Sequence, residues 1–93
     1  MPQGTTITLP DDQWTELTND NATTVTVQSL SAWPVQVKGS VNATPPTDDL
    51  GALELSPNIG IINQTLQDVF PGSGFTRLFA KGRSGARVVI WHA

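Results

Sequence analysis

Residues 23–38, TTVTVQSLSAWPVQVK, decide the fold. Val25 and Val27 alternate with Thr24, Thr26 and Gln28, and beyond Trp33-Pro34 the alternation resumes with Val35 and Val37 against Gln36 and Lys38. An extended chain sends successive side chains to opposite faces, so each run reads as a strand with one buried face. Pro34 cannot donate to a central ladder, which makes Trp33-Pro34 a turn or bulge between the two strands.

Working outward, the same pattern recurs in short runs cut by turn residues. Upstream, Thr6–Leu9 places Ile7 and Leu9 on one face and stops at Pro10, and Trp14–Leu17 forms a second run after an Asp11-Asp12 turn. Downstream, Asn42–Asp49 with Pro45-Pro46 is a loop that leads into a short strand at Leu53–Leu55. Ile59–Phe70 fits two periods: Ile62, Leu66, Val69 and Phe70 make a helical stripe, whereas Ile59, Ile61 and Asn63 alternate. We read it as an extended segment followed by one helical turn at Leu66–Val69, stopped by Pro71-Gly72-Ser73-Gly74. The last eighteen residues, TRLFAKGRSGARVVIWHA, read as a β-hairpin turning at Gly82-Arg83-Ser84-Gly85. The expectation is therefore an all-β protein, a single domain over residues 1–93. It should be a small β-sandwich or barrel of about seven or eight short strands, with one helical turn near residues 62–70.

Composition agrees. Twelve threonines, seven prolines and eight glycines against only 14% charged residues favour strands and turns over helices. A chain of 93 residues buries only about 60–65% of its unfolded surface, so the core is thin and a partner or self-association is expected to help it. The absence of cysteine excludes a disulfide framework, a thiolate zinc site and a cysteine nucleophile. MPQGTTITLP lacks the charged and apolar regions of a secretory signal, and no window is as apolar as a membrane span; neither export nor membrane insertion is expected.

Charge is unevenly placed. The last eighteen residues hold Arg77, Lys81, Arg83 and Arg87 and no acid, while all eight carboxylates lie upstream with Lys38, giving +4 against −7 within a net charge of −3. Such a split suggests a docking surface with a cationic tip. Four cations in a chain of pI ≈ 4.7 are poorly suited to tracking a phosphate backbone, so nucleic acid is not the expected partner. In the final hairpin Leu78, Ala80, Val88 and Ile90 share one face and Phe79, Val89 and Trp91 the other. A strand apolar on both sides belongs either between two packed layers or at a subunit interface.

No catalytic constellation emerges, and neither enzyme activity, cofactor nor metal is expected. His92, the only histidine, is penultimate, where a chain end lacks the packed neighbours that hold a triad member or a metal ligand; it reads as solvated or strand-terminal. Asp11-Asp12 and Asp48-Asp49 are adjacent pairs that point apart on extended backbone, outside any spaced calcium loop, and read as turn carboxylates. The sequons at Asn21, Asn42 and Asn63 read as accidents of a Thr-rich composition. Trp14 and Trp91 lie in strand patterns and read as core, whereas Trp33, in a turn, is the ring expected to be exposed and able to stack on a ligand.

Four pieces, DDQWTELT, TVTVQSLSAWPVQV, PPTDDLGALEL and INQTLQDVFPGSG…TRLFAKG…VVIWHA, together resemble small β-structured virion proteins encoded among the head genes of tailed phages. The resemblance covers nearly the whole chain. It implies a noncatalytic capsid decoration (cement) protein that binds the outer capsid surface, bridges and stabilises capsomers, and acts as a homo-oligomer, with a trimer favoured. The partner would be the major capsid protein, and the chain would be made in the host cytoplasm and reside on the capsid exterior. On the physical reading Arg77, Lys81, Arg83 and Arg87 would dock on the capsid, and Phe79, Val89 and Trp91 would form an oligomer or shell contact. The alternative is a carbohydrate- or receptor-binding tip of a tail or surface fibre, using Trp33 and the Asn42–Asp49 loop.

Overall fold

The computed structural model describes residues 3–18, 21–42, 44, 46–47, 52–56, 60–72 and 74–92. Among the described residues eight strands are present, β1 Gln3–Thr8, β2 Thr15–Glu16, β3 Thr24–Ser29, β4 Val35–Ser40, β5 Leu53–Leu55, β6 Gly60–Thr65, β7 Arg77–Lys81 and β8 Arg87–His92, with one helical turn, α1, Leu66–Val69. They form two four-stranded antiparallel sheets, ordered β1-β8-β3-β6 and β2-β7-β4-β5. Among these strands only β4 and β5 are neighbours in both sequence and sheet; every other connection crosses from one sheet to the other. The all-β expectation, its strand positions and the turn at Leu66–Val69 agree with this architecture. Asp48-Asp49, Pro45 and Ile59 lie outside the described residues.

The valines that announce the fold make its core. Val25 and Val27 of β3 join Val88 and Ile90 of β8 on one inner face, and Val35 and Val37 of β4 join Leu78 and Ala80 of β7 on the other, all in one cluster. Seven of these eight are 0% exposed. The ends are plugged by Leu9, Leu17, Leu66 and Phe70. In α1 the Thr65 hydroxyl accepts from the Asp68 N–H at 3.0 Å, satisfying an otherwise unpaired first-turn donor, and this cap holds Leu66 in the core. Gly39 faces inward from β4, and a Cβ there would sit 2.2 Å from the Phe75 ring, so its missing side chain is the notch that Phe75 fills.

A bulge separates two registers in the β3–β6 pair between Val25 and Val27. Just past it, a Cβ on Gly60 would come 2.4 Å from the Val27 carbonyl oxygen. Backbone cannot retreat as a flexible side chain can. Gly60→Ala is expected to lower stability by about 1–3 kcal/mol as the strands move apart, read as a lower urea midpoint with an unchanged slope.

One expectation is corrected here. β7 and β8 do not pair as a hairpin; they lie in different sheets, with β7 between β2 and β4 and β8 between β1 and β3. Each carries fully buried inner residues, Leu78 and Ala80 on β7 and Val88 and Ile90 on β8. Placed in opposite sheets, these four meet across the core instead of lining one side of it. The connecting residues 82–86 turn the corner with Gly85 at φ 83°, a left-handed conformation that favours glycine. They are laced to the equivalent β1–β2 corner: Leu9 N–H donates to the Ala86 carbonyl at 2.7 Å, Asp12 N–H to Gly82 at 2.8 Å, and Gly85 N–H to Leu9 at 3.1 Å.

Candidate functional site

The sandwich has two outer faces of different chemistry. On the β2-β7-β4-β5 sheet, Phe79 pairs across the strands with Glu16 on β2 and Lys38 on β4. Two residues to either side on β7, Arg77 and Lys81 point outward with it. The Arg77 guanidinium donates to the Glu16 carboxylate at 2.8 Å, both side chains being 19% exposed, and its Nε donates to Asn21 Oδ1 at 3.1 Å. Lys81 Nζ stands 3.7 Å from Asp12 and 5.2 Å from the centroid of the Trp14 ring. Arg83, in the corner turn, lies over Trp33 at 4.1 Å. Beside them runs an open groove of about 490 Å³ lined by Asp11, Asp12, Glu54, Gln36, Lys81 and Arg83 among others.

Positive charge in the tail is therefore met by negative charge from upstream. The corner contacts that tie residues 82–86 to residues 9–12 also bring Asp11 and Asp12 beside the basic turn, and Asp11 Oδ1 accepts from Ser84 N–H at 3.3 Å. Arg77, Lys81 and Arg83 share one side of the molecule as cations interleaved with carboxylates, not as an isolated prong. Arg87 belongs to the other sheet, opposite Thr8. The Glu16–Arg77 pair is shielded enough to matter: a double-mutant cycle with Glu16→Gln and Arg77→Met is expected to give a coupling of about 1 kcal/mol that weakens in salt. A coupling near zero would assign the pair to solvent.

The proposed apolar contact group is also divided. Phe79 is 1% exposed and belongs to the protomer's own packing on the charged sheet. Val89 and Trp91 point outward from β8 on the other sheet, and Trp91, read from its strand pattern as core, is 52% exposed. Strand alternation places a residue inside or outside its own sheet without saying which sheet that is. Hence the three could not share a face once β7 and β8 parted.

Trp33 is 51% exposed, as its turn position implies. A chain of hydroxyls builds that turn: Ser29 Oγ accepts from Ser31 N–H at 3.3 Å, and Ser31 Oγ from Trp33 N–H at 3.0 Å. Its ring is not bare, however, because the Arg83 guanidinium covers one face. Trp14 is half-buried. His92 ends β8 opposite Gln3 and Val25, the strand-terminal position expected. Among the described residues no group of three His, Cys, Asp or Glu side chains is placed to hold a metal ion.

Among the described residues, the cross-strand rows on the outer face of the β1-β8-β3 strands carry one charge, Arg87. Cross-strand rows run Thr8-Arg87, Thr6-Val89-Gln28 and Gly4-Trp91-Thr26. Gly4 was not singled out by its sequence, since a glycine near a chain end carries no local signal of what covers it. Together the fold and the two faces define a small antiparallel β-sandwich whose sheets differ in surface chemistry. Comparison with protein-family models, with curated proteins and with solved structures returns no match.

Proposed function

We propose that this chain is a noncatalytic binding module that decorates a protein shell, in the specific form of a tailed-phage capsid decoration protein bound to the major capsid protein. The observation that carries the reading is the interleaving of Arg77, Lys81 and Arg83 with Glu16, Asp12 and Asp11 on one face. Alternating charge of that kind suits a folded protein surface of matching pattern, where it sets register and rejects wrong partners. It is a poor surface for a polyanion, which gains most from an unbroken row of cations. The resemblance in sequence pattern, length and turn placement suggests the capsid as the particular shell.

In this arrangement the charged sheet docks and the Trp91 sheet faces away. Arg83, exposed at the corner, is the docking cation least tied into the protomer by hydrogen bonds. Copies joined as a closed oligomer, a trimer on the resemblance, would multiply modest contacts over many equivalent shell positions. Purified chain mixed with undecorated capsids of the cognate major capsid protein should co-sediment saturably, and Arg83→Glu should weaken binding while leaving the fold intact. A folded chain that stays in the supernatant removes the proposal. Light scattering tests the oligomer separately, and a monomer at all concentrations counts against the trimer.

A further inference from the structure

We propose that the outer face of Trp91 is a stacking subsite for a neutral pyranose sugar. The first observation is how the ring lies. A Cβ built on Gly4, its direct cross-strand neighbour, would fall 2.4, 2.5 and 2.6 Å from Cε2, Cδ2 and Cζ2 of the indole. Three consecutive ring atoms at almost equal distance mean that the flat of the ring, not its edge, covers the glycine. One π face is thus pressed onto the strand, and with the residue as a whole 52% exposed the opposite face is the one open to a ligand. Among the three tryptophans this differs from Trp33, capped by Arg83, and from Trp14, which has Lys81 over it.

The second observation is the edge beside it. β1 is the outermost strand of its sheet. The Leu9 N–H to Ala86 bond and the unbroken β1–β8 register assign the odd-numbered residues of β1 to the ladder. In an antiparallel pair the alternate residues then turn their N–H and C=O groups the other way. Gly4 and Thr6 accordingly present donors and acceptors at the free edge, next to the indole.

Chemistry selects the ligand from these two features. A pyranose has a face of C–H groups, weakly positive, that matches the negative face of an aromatic ring, and a rim of hydroxyls that needs neutral donors and acceptors, here offered by the Gly4 and Thr6 backbone and the Thr6 side chain. Among the described residues, those in the Trp91 row and the next are uncharged; Arg87 lies four residues along β8, roughly 13 Å away, and His92 points to the inner face. A neutral sugar therefore fits better than an acidic one. Covering Gly4 is a structural task that Trp91 performs in any case, so the test must read the ring's outer face.

The experiment is a titration of the folded chain with neutral oligosaccharides of β-linked glucose, β-linked N-acetylglucosamine and α-linked mannose, with a sialylated oligosaccharide as the charged control. It is followed by two-dimensional NMR of backbone and indole N–H signals. One of the neutral sugars is expected to move the Trp91 indole and the Gly4 and Thr6 amides saturably at low-millimolar concentration, with Trp33→Ala unchanged and Trp91→Ala roughly tenfold weaker or worse. If Trp91→Ala fails to fold, the shift map of the unaltered chain decides alone. Shifts that avoid Trp91, binding that survives in folded Trp91→Ala, or no response to any neutral sugar overturns the proposal. Capsid docking is read by a different assay on the other sheet, so either can fail without the other.

Discussion

Phe79→Ala is expected to lower the unfolding free energy by about 3–5 kcal/mol, a large part of the roughly 5–15 kcal/mol that holds a domain together. The residue points outward from β7, away from the inter-sheet core, yet is only 1% exposed. Its cross-strand neighbours are charged. Glu16 and Lys38 flank it across the strands, Arg77 is tied to Glu16, and Lys81 to Asp12, and the side chains of Arg77, Glu16 and Lys81 are themselves only 19%, 19% and 14% exposed. Removing a ring that is buried to this degree leaves a cavity. Urea unfolding of Phe79→Ala beside Phe79→Leu checks this, and the leucine variant should keep most of the stability. An alanine variant within about 1 kcal/mol of the parent would mean that the charges, not the ring, organise the face.

Ile90→Ala is expected to cost about 2–5 kcal/mol, whereas Trp91→Ala, one residue on, should cost less despite removing more atoms. Ile90 is 0% exposed between Val27 on β3 and Thr5 on β1, and its loss leaves a cavity between the sheets. Trp91 surrenders only the packing of one ring face on Gly4. The contrast tests the register of the central strand, because a slip of one residue would exchange the two roles. Equal losses at both positions would show that β8 is not held in this register.

Much of the local structure was readable from alternation. Val25 and Val27, Val35 and Val37, the Leu53–Leu55 strand and the turn at Leu66–Val69 needed only a period of two, a helical stripe of apolar residues and a Pro-Gly stop. The error at the tail has a definite cause. Arg77–Lys81 and Arg87–His92 are two strands joined through Gly82-Arg83-Ser84-Gly85, and a short glycine-containing link serves a hairpin or a corner between sheets equally well. Nothing local distinguishes them. The choice rests on whether Leu78 and Ala80 bury better beside Val88 and Ile90 or facing them.

The candidate surfaces divide along the same line. Exposure of Trp33 followed from its place before Pro34, a property of neighbouring residues. The partners of the tail cations did not, since Glu16 is 61 residues from Arg77, and Asp12 reaches Lys81 only because two corners are hydrogen-bonded together.

By itself, then, the order of residues determined that this chain makes strands, the segments in which they lie, and which side chains of a strand share a face, because those follow from backbone geometry over a few residues. Tertiary structure alone decided which strands are neighbours, that Phe79 is covered and Trp91 open, and that the basic tail is met by acids. Those outcomes depend on contacts between distant segments, where the competition to bury apolar surface selects one pairing among several of equal local merit.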